Sequence, residues 1–262
     1  MAGKAKSEGG ILETVKTVFW ALVIAGIFRT LFFQPFWIPS ESMKDSLLIG
    51  DFLFVNKMAY GYSKYSGPFA LCPISGRILA SDPERGDVVV FRHPGNGSDF
   101  IKRLIGLPGD TVQMKAGILY INGQEVPQQP DGIFEEVFEP QGPMRNRPAC
   151  ENGAVGEGAI CQKSRAIETL PNGVKHTVLN IRDNGPGDNT EVFTVPAGHY
   201  FFMGDNRDNS SDSRFSVAAG GVGMLPAEYL IGRADRIIFS SAGSRMWYFW
   251  TWRADRFFKA VE

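Results

Sequence analysis

The sequence predicts a mostly β protein, in which an antiparallel sheet carries an inserted β-rich lobe and is preceded by one transmembrane helix. Three observations support this fold class. The 262 residues include 30 glycines and 16 prolines, which suit many turns and short strands better than a helical bundle. Short runs rich in β-branched and aromatic residues lie between turn residues. One apolar stretch near the N-terminus is long enough to reach across a bilayer.

The apolar stretch comprises residues 17–33 and is interrupted only by Arg29. A helix of this length, at about 1.5 Å per residue, reaches the lower limit for a membrane span. Lys4, Lys6 and Lys16 precede the stretch, so the positive-inside rule predicts a cytoplasmic N-terminus and an exported remainder. Aromatic residues and prolines follow it instead of small residues, which argues against removal as a signal peptide. The alternative is a buried amphipathic helix of a soluble protein.

Five short β-type runs follow the apolar stretch, each bounded by turn residues, and antiparallel pairing is the simplest arrangement for them. They are residues 51–56, 87–92, 100–105, 199–203 and 231–239. A hairpin is predicted at residues 118–126, because Asn122-Gly123 supplies the positive φ angles of a type I′ turn.

Composition divides the chain further. Residues 114–198 are rich in Gly, Pro, Asn and Gln and have few long apolar runs, so they are predicted to form an inserted β-rich lobe. The core then comprises residues 38–113 and 199–240, after an N-terminal segment and anchor at 1–37. The C-terminal residues 241–262 are aromatic and basic, which suits a membrane surface. An aromatic helix docked on the domain's own surface is the alternative for that segment.

Charge and cysteine content limit the partners and the compartment. The formal net charge is −1, so the chain lacks the excess of positive charge that a nucleic-acid-binding protein needs. Cys150 and Cys161 are predicted to form a disulfide that closes a short loop, leaving Cys72 as a thiol. Such a pairing requires an oxidising compartment.

The commonest hydrolase signatures are missing from the sequence, and the three histidines have no metal-ligand spacing. Two other features stand out. PSESM at 39–43 lies just beyond the apolar stretch, and strand alternation puts Lys102 on the same face as Phe100 and Leu104. The polar segment 204–214 resembles a calcium loop only superficially. Counted from Asp205, positions three, six and twelve are Arg207, Ser210 and Ser216, which are not the residues that a calcium loop has there.

Four ordered motifs together closely resemble the bacterial type I signal peptidase (leader peptidase) family. They are IPSESM at 38–43 with LLIGD at 47–51, RGDVVVF at 85–91, IKR at 101–103 with GLPGD at 106–110, and MGDNRDNSSDSR at 203–214. The resemblance implies a membrane-bound serine endopeptidase that removes N-terminal signal peptides from exported preproteins, cutting after small residues at A-x-A-type sites. The sequence departs from the family pattern at Glu41, at Asp45-Ser46 and after Phe215.

The resemblance also implies roles for particular residues. Ser42 would be the nucleophile and Lys102 the general base, with Ser40 as a side-chain oxyanion donor and Ser210 orienting the lysine. Asp205, Asp212, Arg214 and Arg103 would form a bracing ion-pair network. Shallow pockets for the substrate's small residues would be lined by Ile38, Met43, Leu47, Phe100 and Ile101. A desolvated lysine can activate a serine without a histidine, which is consistent with the missing histidine motifs.

The predicted enzyme needs no metal and no organic cofactor. Its expected partners are preprotein signal peptides and membrane lipid, with the protein export machinery as a further partner and no nucleic acid. Its expected location is the cytoplasmic (inner) membrane, with a single span, a cytoplasmic N-terminus and a periplasmic catalytic domain. Two other hypotheses are a self-cleaving Ser–Lys repressor and a non-catalytic membrane-tethered module. The membrane span and the lack of a basic DNA-reading helix count against the repressor, and the presence of both Ser42 and Lys102 counts against the module.

Overall fold

The computed structural model describes residues 10–67, 72–153 and 155–261. Its long helix, α1, is Ile11–Leu31. The first eight strands are β1 Phe33–Trp37, β2 Asp51–Asn56, β3 Tyr62–Ser63, β4 Arg77–Ile78, β5 Val88–Arg92, β6 Asp99–Gly106, β7 Thr111–Lys115 and β8 Ile118–Ile121. The others are β9 Gln124–Glu125, β10 Gln128–Val137, β11 Ile160–Thr169, β12 Lys175–Asn180, β13 Phe193–Thr194, β14 His199–Met203, β15 Leu225–Pro226 and β16 Leu230–Ser240.

A seven-stranded antiparallel sheet forms the centre of the fold, in the order β1-β2-β16-β5-β6-β14-β15. Its two faces bury separate apolar clusters, one around Leu53, Val90 and Ile237 and the other around Phe91 and Phe202. Burial of this apolar surface is the main stabilising contribution to such a fold. The predicted mostly β fold class is therefore confirmed.

The predicted hairpin is present. β8 and β9 pair antiparallel, and Asn122 and Gly123 have φ angles of 54° and 76°. Both angles lie in the left-handed region that a type I′ turn requires, which glycine and asparagine adopt most readily.

α1 differs in its limits from the predicted span. The helix begins six residues before position 17 and ends at Leu31, because Phe33 instead pairs with Asn56 in the edge strand β1. It is long and apolar enough to cross a membrane, and none of its residues is buried. A buried core helix is therefore excluded. Lys16 lies inside α1, whereas Lys4 and Lys6 lie outside the described residues.

Two smaller sheets form from residues between β6 and β14. β7, β8, β9 and β13 make a four-stranded sheet, and β10, β11 and β12 make a three-stranded one. Cys150 and Cys161 form a disulfide that joins the start of β11 to the loop before it. Cys72 is a free thiol, so the predicted cysteine pairing agrees with the structure.

The C-terminal segment docks on the central sheet at β2 and β16. Arg256 donates from Nη2 and Nε to the Asp51 carboxylate at 2.6 and 3.0 Å. The rings of Trp247, Phe249 and Trp250 nevertheless stay exposed. The segment thus docks on the domain's own surface, but as the two short 3-10 turns Phe249–Thr251 and Ala254–Arg256 in place of the expected helix. Contact of the exposed rings with lipid stays a prediction.

Candidate active site

Ser42 lies in the loop that joins β1 to β2. Backbone hydrogen bonds between Ile38 and both Gly50 and Asp51 close the base of this loop. The Ser42 carbonyl accepts a hydrogen bond from the Asn206 N–H at 3.1 Å. Only 6% of Ser42 is exposed, so its position is fixed from two sides.

Lys102 is on β6, near the middle of the central sheet, where β5 and β14 flank it. Its Nζ lies 2.6 Å from Ser42 Oγ and 3.0 Å from the Ile101 carbonyl oxygen. The Phe100 ring centroid is 5.5 Å from the same Nζ. With 4% of the residue exposed, the amine has exchanged nearly all its water for a hydroxyl, a carbonyl and an aromatic ring.

This burial has a chemical consequence. Burial lowers the pKa of Lys102 to about 8. The carboxylates of Asp212 and Asp205 raise this pKa, and the positive charge of Arg214 lowers it further, but burial is the largest effect. A lysine with a pKa near 10.4 is only about 0.04% neutral at pH 7, whereas one near 8 is about 10% neutral. A neutral amine can accept a proton, so the geometry and the charge state both suit general base catalysis.

The segment 204–214 begins directly after β14, which pairs with β6 through Met203 and Arg103. The segment therefore starts beside the lysine. Asp205 binds Arg103 through two hydrogen bonds of 2.8 Å, from Nε and Nη2, and both side chains are buried. Burial alone would raise the pKa of Asp205, but Arg103 outweighs it and the pKa is lowered.

A second buried ion pair lies within the same segment. Arg214 donates from Nε and Nη2 to the two carboxylate oxygens of Asp212, both at 2.9 Å, and the Gly204 N–H donates to Asp212 at 3.0 Å. The four residues predicted to form one network thus occupy two pairs, joined by the Gly204–Asp205 backbone. Bidentate pairs of this kind fix geometry as well as charge.

The other two predicted serines lie near Ser42 and near Gly204, respectively. Ser40 is exposed, with its Oγ 3.4 Å from Ser42 Oγ. Ser210 is buried against Gly204. The hydrogen bonds of Lys102 go to Ser42 and Ile101, so the role of Ser210 in orienting the lysine stays a prediction.

Four of the five predicted pocket residues belong to one buried apolar cluster beneath the Ser42 loop, and these are Ile38, Met43, Leu47 and Ile101. Phe100 is half-buried and packs against the cluster on the opposite face of the sheet. These four side chains are at most 4% exposed, and their role in lining the substrate pockets stays a prediction.

The histidines have other partners. His93 Nε2 lies 2.9 Å from the Gly221 carbonyl, and its Nδ1 accepts from the Gly95 N–H at 3.0 Å, which fixes the neutral tautomer protonated on Nε2. His176 contacts Glu168 at 3.3 Å, and burial lowers its pKa. His199 Nδ1 lies 3.0 Å from the Ala197 carbonyl.

Sequence reasoning missed a charged cluster beside the serine. Glu41 and Lys44 flank Ser42 and are buried. They contact Glu136 and Lys163 from the three-stranded sheet β10–β12, which we call the inserted sheet. The one signal in the sequence was the presence of two charged residues within two positions of Ser42.

A buried serine within hydrogen-bond distance of a buried strand lysine is an arrangement that occurs in serine peptidases that have no catalytic histidine. Comparisons with known proteins agree. The sequence profile of the family "Signal peptidase, peptidase S26" matches residues 11–239. Signal peptidase I of Rickettsia typhi is 39% identical over 242 residues, which cover 87% of this chain and 82% of the relative. That of Rickettsia prowazekii is 37% identical with the same coverage.

The chain therefore belongs to the signal peptidase family, peptidase S26, and is a serine peptidase. A solved structure of a signal peptidase I from Enterococcus faecalis V583 is 27% identical, covering 58% of this chain and 97% of that one, with a TM-score of 0.30. The resemblance stated from the four motifs is confirmed at the level of the family. Family membership and the apolar α1 are consistent with a membrane-anchored protein.

Proposed function

We propose that this chain cleaves N-terminal signal peptides from exported preproteins after small residues, with Ser42 as the nucleophile and Lys102 as the general base. The observation that carries the proposal is the distance of 2.6 Å between Lys102 Nζ and Ser42 Oγ, in a setting where burial lowers the pKa of the lysine to about 8.

The reaction begins with a proton transfer. Neutral Lys102 accepts the proton of the Ser42 hydroxyl as Oγ attacks the scissile carbonyl carbon. The resulting oxyanion is stabilised by the Ser42 backbone N–H and the Ser40 hydroxyl, each contributing about 3 kcal/mol if it acts as donors do in comparable enzymes. Protonated Lys102 then gives its proton to the leaving amine, and an acyl-enzyme remains on Ser42.

The second half of the reaction uses the same groups. Water enters once the mature protein has left, Lys102 accepts a proton from it, and the hydroxide formed attacks the acyl carbon. The bond between this carbon and Ser42 Oγ breaks, and the lysine returns the proton to Oγ. No metal or organic cofactor takes part in these steps.

Substrate choice follows from the shallow floor beneath Ser42. The floor would be formed by Ile38, Met43, Leu47 and Ile101, whose close packing in the core leaves them little room to move aside for a large side chain. An extended peptide points alternate side chains the same way, so two small residues, one and three positions before the cut, would face this floor together.

Cleavage of a preprotein by the purified full chain in detergent tests the proposal. We expect Ser42→Ala to lower kcat/KM by at least about 10⁴-fold, because the nucleophilic oxygen is removed. The matched control is Ser98→Ala, which alters an exposed serine in the turn between β5 and β6 and should leave cleavage unchanged. Wild-type cleavage by Ser42→Ala would refute the assignment of the nucleophile.

We further propose that α1 spans the cytoplasmic membrane once, with the N-terminus in the cytoplasm and the β domain on the periplasmic side, where preproteins emerge from the export machinery. Lipid would contact α1 and the exposed C-terminal rings. In a Cys72→Ser background, a membrane-impermeant maleimide should label Asn96→Cys in intact cells and should label Gly10→Cys only after permeabilisation. Both positions are exposed. The reverse labelling pattern would show the opposite orientation.

A further inference from the structure

Four charged side chains form a compact cluster beside the nucleophile. Glu41 directly precedes Ser42 and Lys44 follows it by two positions, while Glu136 lies on β10 and Lys163 on β11. Glu41, Lys44 and Lys163 are 5%, 1% and 0% exposed. Two carboxylates face two ammonium groups, so the charges balance within the cluster.

The contacts form a closed ring. Lys44 Nζ donates to Glu41 Oε1 at 3.0 Å and to Glu136 Oε2 at 2.6 Å. Lys163 Nζ donates to Glu136 Oε1 at 2.5 Å and lies 3.7 Å from Glu41 Oε2. Burial alone would raise the pKa of Glu136, but Lys44 and Lys163 outweigh it and the pKa is lowered.

Glu41 also contacts the segment that carries Ser210. Asn209 Nδ2 donates to Glu41 Oε2 at 2.8 Å, and Asn206 Nδ2 donates to the Glu41 carbonyl oxygen at 3.3 Å. The single residue before Ser42 therefore connects three parts of the molecule, which are the nucleophile loop, the segment 204–214 and the inserted sheet β10–β12.

We propose that Glu41 is a positioning residue for Ser42, and that the inserted sheet supports catalysis by holding Glu41 through Lys44, Glu136 and Lys163. The inference rests on the proposed function, since it takes Ser42 as the nucleophile. Buried ion pairs add little stability, because desolvation offsets their attraction, and apolar side chains of equal size would stabilise the fold as well. What the cluster supplies is a fixed backbone on both sides of Ser42.

Kinetics of isosteric variants test the inference. Glu41→Gln and Glu136→Gln each remove one charge with little change in volume, and each leaves Lys44 with one counter-charge fewer. We expect kcat to fall by about 10- to 100-fold, as for a displacement of a reacting group by up to 1 Å, with KM within about twofold of wild type. Glu41 and Glu136 share Lys44 and Lys163, so the fall in kcat of the double variant should differ from the product of the two single effects.

The control is Glu157→Gln, which breaks the exposed pair between Arg147 and Glu157 in the same lobe and should leave kcat unchanged. Each variant is assayed at a temperature where thermal unfolding shows it fully folded. Wild-type kcat in Glu41→Gln and Glu136→Gln, beside an inactive Ser42→Ala, would overturn the inference while leaving the proposed function intact. Wild-type cleavage by Ser42→Ala would instead remove the proposed function.

Discussion

Replacement of Lys102 by arginine will reduce cleavage by roughly 10⁴-fold, although the positive charge is retained. A guanidinium does not deprotonate in a protein, so it cannot accept the Ser42 proton. The measurement is kcat/KM for a preprotein with purified full-length enzyme. Lys57→Arg is the matched control, because burial also lowers the pKa of Lys57 to about 8 while its Nζ binds the Ser66 carbonyl instead of a serine hydroxyl.

The pH profile of the wild-type enzyme follows from the same residue. Since only neutral Lys102 can act as the base, kcat/KM should rise with pH through about 8 and then level off. A flat profile across this range would contradict the assignment, as would near-wild-type cleavage by Lys102→Arg. The base would then have to be sought among the histidines.

The lowered pKa of Lys102 also makes the stability of the folded state depend on pH. The unfolded chain binds a proton at Lys102 near pH 10.5, and the folded chain binds one only near pH 8. As the pH falls from 10.5 to about 8, the unfolded state gains protons first. The free energy of unfolding therefore falls by on the order of 3 kcal/mol across this range, at 1.36 kcal/mol for each pH unit. Lys102→Met should abolish this loss in denaturant titrations.

Local patterns explain why so much of the fold was predictable. The β-type run at residues 51–56 and the Asn122-Gly123 turn are properties of short segments, and the structure has β2 and the hairpin at these positions. Ser42 and Lys102 were found because each lies in a short motif. The distance of 2.6 Å between them depends on the pairing of β2, β16, β5 and β6, which the motifs do not encode.

Pairings between distant residues were the part that sequence reasoning missed. Lys44 and Glu136 are 92 positions apart, and neither lies in a pattern that points to the other. The limits of α1 shifted for a similar reason. Hydropathy alone extends the span to Phe33, whereas hydrogen bonding to β2 draws that residue into the sheet.

Gly204→Ala should strongly impair catalysis, although it replaces no proposed catalytic side chain. A Cβ at this position would overlap Ser210 Oγ and the Ser42 carbonyl oxygen, and would lie 2.6 Å from Ser210 Cβ. The position requires glycine for lack of space, since its backbone is outside the left-handed region. The Ser42 carbonyl belongs to the main chain and cannot rotate away, so the nucleophile loop itself must shift.

We expect kcat/KM of Gly204→Ala to fall by about 100-fold or more, because a shift of about 1 Å at Ser42 breaks its alignment with Lys102. Overpacking should also lower the free energy of unfolding by about 1–3 kcal/mol. Gly156→Ala is the control, since a Cβ there meets no atom within 4 Å. Wild-type kcat/KM in Gly204→Ala would mean that the segment 204–214 can move away from Ser42 without cost to catalysis. The close packing of these two loops would then not be what positions the nucleophile.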